Sequence, residues 1–346
     1  MQDKPLVSIN IVVLNGQKYV PFCLDSILEQ KYPHGLIEVN ILDNGSQDKT
    51  LDIIQEKGKI IQESGFNKFE LIRSDKNLGM WPGQEELLKS SSGKYVLAMA
   101  IDIILDKDFI SNSISILESD SKIGAIQSKT YKFDIEDDQP IKSDALDTCG
   151  FEIYRSRRII NIGHGKKDQG EFTNQKEIFA VEGACPIFRK EALLDIKINN
   201  QLVDPGYFWY GDDLDLAWRM NILGWKQIFC PEVIAWHDRQ TTKRLGNSTL
   251  DFIKMRREIP IKKRALDWRN VRFTIIKNDY IINLLKDLPR IVIREVGLFL
   301  YLLIFETKVA MEIFSIISHS PKLLRDRREI MRKSKVSAKD FRSWLK

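Results

Sequence analysis

Apolar runs and amphipathic segments alternate over roughly the first hundred residues of the chain. Residues 7–14 form a continuous run rich in β-branched residues, which is typical of a strand buried on both faces. Shorter apolar runs follow at residues 39–42, 69–73 and 95–101, and segments with helical spacing separate them. We therefore predict an α/β domain in which helices cover both faces of a mostly parallel sheet.

The pattern changes in the middle of the chain. Residues 127–178 are short segments rich in glycine, aspartate and lysine, which predict loops and hairpins. Residues 179–188 return to a sheet pattern, and residues 225–230 predict one more strand. Three apolar residues between these two runs have helical spacing: Leu214, Trp218 and Ile222. Gly224 is placed to end that helix.

Helical patterns replace strand patterns beyond about residue 245, as in residues 287–318. We therefore divide the chain into a sheet domain, residues 1–245, and a C-terminal helical region, residues 246–346.

Composition narrows the classes of protein that this chain can represent. The net charge of +5 over 346 residues is mild, although residues 322–346 carry ten basic against three acidic residues. No zinc-binding pattern or aromatic-interleaved basic sheet accompanies that basic end, so we expect no nucleic-acid partner. The four cysteines have no paired spacing, which favours a reducing compartment. The N-terminus passes directly into a strand pattern, so we expect no signal peptide.

Polar side chains follow the ends of the predicted strands. Asn15, Asp43 and Asp102 stand at three such ends, where open α/β sheets bind their ligands. Asp43 could accept the imide N–H of a uracil or thymine base, or it could belong to an Asx-type turn that caps the next helix. Asp102 could hold a hard divalent cation against a diphosphate, or it could be a solvated turn carboxylate.

Three carboxylates crowd the start of the helix after residue 211: Asp212, Asp213 and Asp215. They offer a general base that a nearby cation keeps ionised, or they merely complement the helix dipole. His237 ends the following apolar run and is either a metal ligand or a structural residue. Gly183 and Ala184 let a sugar approach the backbone closely, or they allow tight core packing.

These pieces occur in an order that resembles glycosyltransferase family 2 over about residues 7–237. The matching pieces are Val-Val-Leu-Asn-Gly at 12–16, Asp-Asn-Gly-Ser-x-Asp at 43–48, Asn-Leu-Gly at 77–79, the strand ending in Asp102, Glu-Gly-Ala at 182–184, Tyr-Gly-Asp-Asp-Leu-Asp-Leu at 210–216, Gly-Trp at 224–225 and Pro-Glu to His at 231–237. Within that family the chain looks most like the non-processive, rhamnosyltransferase-like enzymes of envelope polysaccharide synthesis.

The resemblance implies a GT-A fold with a C-terminal helical extension and an inverting transfer from a nucleoside diphosphate sugar. Residues 1–110 would hold the donor and residues 111–245 the acceptor. Asp213 would be the catalytic base, with Asp212 as its acidic neighbour, while Asp215 would be structural. The other implied contacts are Asn15, Asp43, Asn77, Gly79, Gly183 and Ala184 for the donor, with Asp102 and His237 as metal or diphosphate ligands.

One departure from the family pattern concerns the cation. The Asp-x-Asp sequence of the family stands here as Ala100-Ile-Asp102, so the first polar residue is replaced by alanine. Asp102, His237, the diphosphate and water would fill the shell of Mg²⁺ or Mn²⁺. A non-catalytic or metal-independent nucleotide-sugar-binding relative is the alternative. A processive synthase is less favoured, because it needs several membrane spans and a Gln-x-x-Arg-Trp motif, which this sequence lacks.

The resemblance also implies partners. The donor would be a dTDP- or UDP-linked rhamnose or hexose, and the acceptor an envelope polysaccharide or a lipid-linked glycan. The predicted C-terminal helix carries an apolar face with flanking basic residues, among them Val296, Leu300, Arg290 and Arg294. Three alternatives account for this face: burial against the sheet domain, contact with a membrane surface, or an interface between copies of the chain in a homo-oligomer. We expect a cytoplasmic protein, peripheral at the inner face of the cell membrane.

Overall fold

The computed structural model describes residues 4–239, 256 and 258–346. Its strands are β1 (Val7–Val13), β2 (Ile37–Asp43), β3 (Lys68–Arg73), β4 (Tyr95–Ala100), β5 (Ile103–Leu105), β6 (Ile123–Glu136), β7 (Gln139–Thr148), β8 (Phe151–Ile153), β9 (Ile159–Asn161), β10 (Lys176–Glu177), β11 (Ile187–Arg189) and β12 (Lys226–His237). Its α-helices are α1 (Val20–Leu28), α2 (Thr50–Glu63), α3 (Met80–Ser90), α4 (Phe109–Ser119), α5 (Lys190–Asp195), α6 (Asp212–Ile222), α7 (Ile261–Asn278), α8 (Ile281–Phe305), α9 (Thr307–Ala310), α10 (Glu312–Lys333) and α11 (Ala338–Phe341).

Ten of the described strands form one large sheet in the order β10-β12-β6-β11-β4-β1-β2-β3, with β5 added to β12 and β7 to β6. Strands β8 and β9 form a separate two-stranded sheet. Strand β1 is parallel to both β2 and β4, β2 is parallel to β3, and β12 is parallel to β6. Strand β11 runs antiparallel between β4 and β6. The predicted α/β architecture with a mostly parallel sheet is therefore confirmed.

The strand register brings the predicted polar positions to one edge of the sheet. Val13 pairs with Asp43, and Asp43 pairs in turn with Arg73. Ala100, at the end of β4, pairs with Val12. Because all four strands run in the same direction, the loops that follow them meet at their carboxyl ends.

Two predicted elements differ in the structure. Of residues 179–188, only the last two belong to a strand. Glutamine side chains bind the backbone before it, because Val181 N–H donates to Gln227 Oε1 at 3.1 Å and Glu182 N–H to Gln127 Oε1 at 2.6 Å. The backbone N–H groups of this segment therefore have acceptors without pairing to a neighbouring strand.

The predicted helix over residues 287–318 is interrupted. Glu306 has φ −143° and ψ 54°, so α8 ends at Phe305, and the short helix α9 and then α10 follow from Thr307 and Glu312. The buried Glu306 carboxylate forms ion pairs with Arg256 and Arg264 at 2.7 and 3.0 Å. These ion pairs hold the turn between α8 and α9.

The C-terminal helices share a core with the sheet domain. Trp218 of α6 stacks on Phe341 of α11 with ring centroids 5.8 Å apart, and Phe179 contacts both rings edge-on. The division predicted at residue 245/246 lies outside the described residues. None of the helices that the structure describes has the length and apolar character needed to cross a membrane.

Candidate active site

A fully buried carboxylate stands at the end of β2. Asp43 Oδ1 accepts the N–H of Ser46 at 3.1 Å. Its Oδ2 has no hydrogen-bond donor among the described residues, and the exposed Arg73 places Nε 4.0 Å away. Asn15 lies in the adjoining loop with φ 49°, and its Oδ1 accepts the N–H of Gln47 at 2.9 Å. The sheet edge thus holds a buried carboxylate oxygen that accepts no hydrogen bond from a described residue and has the Arg73 guanidinium as its ionic neighbour.

Two predicted donor-binding residues shape the loop after β3. Asn44 Nδ2 donates to Asn77 Oδ1 and to the carbonyl of Gly79, both at 3.2 Å. Gly79 has φ 96°, and a Cβ at this position would lie 2.6 Å from the carbonyl oxygen of Phe208. Gly79 therefore lets this loop approach the loop that precedes α6.

Asp102 and His237 meet at the junction of β4, β5 and β12. His237 Nε2 lies 3.4 Å from Asp102 Oδ2, and its Nδ1 lies 2.8 Å from Oδ2 of the buried Asp147. Burial lowers the pKa of His237, but the two carboxylates outweigh burial and raise it to about 10. Asp147 keeps its charge, because Arg239 and His237 overcome burial and hold its pKa well below the usual range.

Arg239 extends this polar cluster toward α6. Its Nε lies 2.8 Å from Asp147 Oδ1, and its Nη2 lies 2.5 Å from Oε1 of Glu182. The other oxygen of Glu182 accepts the N–H of Ala184 at 2.9 Å. One chain of contacts therefore runs from Asp102 to the backbone at residues 182–184.

Asp213 faces the same backbone segment. Its Oδ2 accepts the N–H of Gly183 at 3.1 Å, and its Oδ1 accepts the N–H of Leu214 at 2.8 Å. Burial, followed by the charge of Glu182, raises the pKa of Asp213 to about 6. Asp213 is nevertheless partly exposed at the first turn of α6. It is therefore an accessible carboxylate with the pKa of a general base.

The two neighbouring carboxylates have different surroundings. Burial and the charge of Asp213 raise the pKa of Asp212 well above its ordinary value. Asp215 lies against Lys277 at 3.1 Å and Arg219 at 2.9 Å. Burial opposes its ionisation, but these two cations lower the pKa of Asp215 to about 2. Asp215 therefore joins α6 to α7 as a structural ion pair.

The loop before α6 is held from the C-terminal region. Asn270 Nδ2 lies within hydrogen-bonding distance of the carbonyls of Tyr207, Trp209 and Tyr210, at 3.1, 2.9 and 2.7 Å. Phe208 and Tyr210 have φ values of 61° and 66°, which non-glycine residues rarely adopt. Trp209 is exposed and stacks on Tyr210 with centroids 4.5 Å apart. An anchored loop thus presents an aromatic ring next to the start of α6.

The Asp102–His237 pair fits a divalent cation as a partial site. Their facing atoms are 3.4 Å apart, close to the spacing of about 3 Å between adjacent ligands of one cation. Asp147 accepts the hydrogen of Nδ1 and so orients the ring, as the outer partner of a ligating histidine does. Among the described residues, no three or more His, Cys, Asp or Glu side chains form a metal-binding group. A cation here would displace the proton from His237 Nε2, because only the neutral imidazole binds a metal. It would also need further oxygen ligands from a diphosphate and water.

Three residues of the polar cluster were absent from the sequence-predicted site. The structure brings Asp102 and His237 together, and it brings Gly183 and Asp213 together. The residues that connect these two pairs are Asp147, Glu182 and Arg239. Glu182 belonged to a quoted motif, but Asp147 lies in the loop-rich segment, where no local pattern distinguishes it.

The family is decided by comparison with known proteins. The family model described as glycosyl transferase family 2 matches residues 8–196, which is more than half of the chain. The chain belongs to glycosyl transferase family 2. The family resemblance predicted from the ordered motifs is therefore confirmed.

Curated relatives of this family 2 protein align over limited lengths. It is 30% identical over 108 residues to the dolichyl N-acetyl-alpha-D-glucosaminyl phosphate 3-beta-D-2,3-diacetamido-2,3-dideoxy-beta-D-glucuronosyltransferase of Methanococcus voltae, covering 31% of this chain and 32% of that protein. It is 28% identical over 114 residues to the putative teichuronic acid biosynthesis glycosyltransferase TuaG of Bacillus subtilis, covering 33% and 42%. The aligned part spans less than half the length of either relative.

Solved structures show that the family 2 chain has the GT-A fold. GalNAc-T7 with UDP, GalNAc and Mn²⁺ superposes with a TM-score of 0.57 at 13% identity, covering 80% of this chain and 48% of that one. S. aureus TarS 1-349 in complex with UDP-GlcNAc has a TM-score of 0.52 at 15% identity, covering 98% and 92%. The predicted fold class is confirmed.

Proposed function

We propose that this protein is an inverting glycosyltransferase that moves a sugar from a nucleoside diphosphate to a hydroxyl group of a cell-envelope glycan. Family membership supports sugar transfer. Relatives named for a dolichyl-linked sugar and for teichuronic acid support an envelope acceptor, either a polysaccharide or a lipid-linked glycan.

The placement of Asp213 carries this proposal. Its carboxylate is held by two backbone N–H groups, is partly exposed and has a pKa raised to about 6. It removes the proton of the acceptor hydroxyl as that oxygen forms its bond to the anomeric carbon. The bond between the anomeric carbon and the phosphate oxygen breaks, and its electron pair leaves with the nucleoside diphosphate. Attack from the face opposite the leaving group inverts the anomeric configuration.

The buried Asp43 supports recognition of a pyrimidine base. Its Oδ2, which accepts no hydrogen bond from a described residue, is an acceptor for the imide N–H of uracil or thymine once the exposed Arg73 moves aside. A UDP- or dTDP-linked sugar is therefore the proposed donor. Rhamnose, which the resemblance to rhamnosyltransferase-like enzymes favours, and a hexose are the two sugar classes to compare.

Asp102 and His237 would hold a divalent cation on the donor. Mg²⁺ or Mn²⁺ bound there would neutralise the charge of the leaving diphosphate. GalNAc-T7, which shares the fold, was solved with UDP and Mn²⁺, and this supports a cation of the same type. Asp147 and Arg239 keep the His237 ring in a fixed orientation and leave its Nε2 directed at Asp102.

Trp209 is the proposed platform for the acceptor sugar. Its ring is 43% exposed, and its loop is anchored by Asn270 close to Asp213. Sugar rings stack on exposed aromatic faces through their C–H groups, so Trp209 would orient the hydroxyl toward the base.

Donor hydrolysis tests the proposal without knowledge of the acceptor. UDP- and dTDP-linked sugars would be screened by thermal shift with and without Mn²⁺, because a bound donor raises the melting temperature. Release of nucleoside diphosphate from the stabilising donor would then be measured. Asp213→Asn should abolish release while leaving the donor-induced thermal shift unchanged. Asp138→Asn, at an exposed hairpin turn, is the matched control.

Ala100 supports a second candidate function, a nucleotide-sugar-binding protein without transferase activity. One carboxylate stands where many relatives have two polar groups, so cation binding is expected to be weaker. Donor binding that persists with no hydrolysis and no transfer to any glycan acceptor would favour this function. Hydrolysis that depends on Asp213 would reject it.

A further inference from the structure

The outer side of α8 is apolar and is left uncovered by the rest of the described chain. Ile293 is 75% exposed and Ile304 is 70% exposed. Other exposed apolar residues recur every three or four positions: Leu285, Leu288, Val292, Val296, Leu300 and Leu303. This spacing places them along one side of the helix. We call the exposed apolar residues of α8 the outer face. Soluble monomers rarely expose an apolar area of this extent without a binding partner.

The opposite side of α8 is fixed to the protein, so the orientation of the outer face is defined. Buried Asp287 pairs with Arg157 at 2.9 Å and with Arg342 at 2.7 Å. Phe299 stacks on Trp268 of α7 with centroids 6.3 Å apart. Leu302 is fully buried in a cluster of α7 and α10 residues. The helix therefore cannot cover its outer face by rotation without breaking buried ion pairs.

The structure describes all residues from 281 to 328, and every exposed charged side chain among them is positively charged. Asp287, Glu306 and Asp326 are buried. The two half-buried acidic residues, Glu295 and Glu312, face arginines. The exposed charged residues of this stretch are Lys286, Arg290, Lys308, Arg325 and Arg328. The surface thus combines an apolar stripe with unneutralised positive charge.

We propose that the outer face docks on an anionic phospholipid bilayer, with α8 lying parallel to the membrane plane. A helix of 25 residues is about 37 Å long and would bury its apolar side chains at the boundary between headgroups and acyl chains. Lys286 and Arg290 would extend their charged ends to lipid phosphates.

Charge favours a bilayer over a second copy of the chain. A two-fold symmetric contact places the same surface patch against itself. Two outer faces would bring basic side chains together without an exposed carboxylate between residues 281 and 328 to neutralise them. An anionic surface would instead neutralise the basic side chains that α8 itself exposes, Lys286 and Arg290.

Docking would also orient the candidate active site. Helix α8 contacts α7 through the ion pair of Arg272 and Glu295 at 2.6 Å. The same helix α7 carries Asn270, which anchors the loop before Asp213. The loop and the outer face are thus tied to one helix, which suits an acceptor that is itself held at a membrane. The docking proposal does not depend on this acceptor or on transferase activity.

Vesicle co-sedimentation tests docking without any donor or acceptor. The full chain would be mixed with phosphatidylcholine vesicles that contain or lack phosphatidylglycerol. We expect binding to the anionic vesicles that weakens with added salt. Lys286→Glu with Arg290→Glu should weaken binding by roughly 25-fold or more, because each basic residue at such a surface contributes about fivefold. Lys59→Glu with Lys122→Glu, at exposed lysines elsewhere, should bind like the wild type.

A second set of variants tests how much the apolar residues of the outer face contribute to vesicle binding. Val292→Ser with Val296→Ser and Leu300→Ser should abolish binding, whereas Ile60→Ser with Ile141→Ser and Leu194→Ser, at exposed apolar sites elsewhere, should not. Absence of wild-type binding to anionic vesicles would overturn the proposal. The proposal would also fail if the control variants lost as much vesicle binding as the outer-face variants. A stable dimer in solution that the outer-face serine variant dissociates, with no vesicle binding, would identify a second copy as the partner instead. Absence of donor hydrolysis by the wild-type chain, with intact vesicle binding, would reject only the proposed function.

Discussion

The N–H of Gly183 donates to Oδ2 of Asp213 at 3.1 Å, and no space for a side chain exists between these two residues. A Cβ built on Gly183 would lie 2.9 Å from Cβ of Asp213 and 3.2 Å from Nε1 of Trp81. The backbone that follows Glu182 therefore sets the position of the proposed base.

Gly183→Ala should displace Asp213 and slow catalysis. A shift of about 1 Å in a reacting group costs on the order of 100-fold in rate, so we expect a kcat reduced by about that factor. Gly35→Ala is the control, because the nearest atom to a Cβ there is 3.9 Å away. Initial rates of donor hydrolysis measure both. A kcat within about twofold of wild type would show that Asp213 does not depend on this close contact.

The rate should fall in acid with an apparent pKa of about 6. Burial and Glu182 raise the pKa of Asp213 to about 6, so the base becomes protonated as the pH drops below that value. Below pH 6 we expect kcat/KM to decrease about tenfold for each pH unit. Hydrolysis measured from pH 4.5 to 8 tests this, with far-UV circular dichroism as the control for folding. An acid limb near pH 4 would contradict the raised pKa.

Asp215→Asn should destabilise the protein rather than change its chemistry selectively. Lys277 and Arg219 would remain buried without a counter-charge, which costs roughly 3–5 kcal/mol in the free energy of unfolding. Urea unfolding at pH 7 measures this loss, and Asp52→Asn on the exposed side of α2 is the control. A loss below about 1 kcal/mol would contradict the structural role.

The same carboxylate makes a pH-dependent contribution to stability. Its folded pKa of about 2 lies below the ordinary value of 3.8, so the folded state favours its charged form. Its contribution is fully present above about pH 4 and is lost as the pH falls toward 2. Asp215→Asn should remove this component, seen as a smaller drop in melting temperature over that interval.

Ala100→Asp should strengthen cation binding at the end of β4. The new carboxylate would restore the second polar group of the family pattern two residues before Asp102. We expect Mn²⁺ affinity in the presence of UDP to rise by about tenfold, the low end of effects seen when groups around a metal are altered. Calorimetry measures this, and Asp102→Asn should change affinity in the opposite direction. Equal affinity in wild type and Ala100→Asp would place the cation elsewhere.

The fold followed from local patterns to a large extent. The run from Val7 to Val13 is buried throughout, and Gly224, with φ 82°, stands two residues beyond the end of α6. The spacing of apolar residues and the position of glycine are local features of the sequence, so strands and helix ends can be predicted from them without knowledge of tertiary contacts. Residues 179–188 and the turn at Glu306 were not predictable in this way, because distant glutamine and arginine side chains stabilise them.

For the site, the sequence alone determined which strands end in polar side chains and that Asp212, Asp213 and Asp215 share one helix start. Tertiary structure decided what each of them does. Burial and the charge of Glu182 raise the pKa of Asp213. Two residues away, Lys277 and Arg219 outweigh burial and lower the pKa of Asp215. The link through Asp147 and Arg239 likewise joins segments about ninety residues apart. Protonation depends on burial and on charges brought close by folding, and the order of residues does not encode those distances.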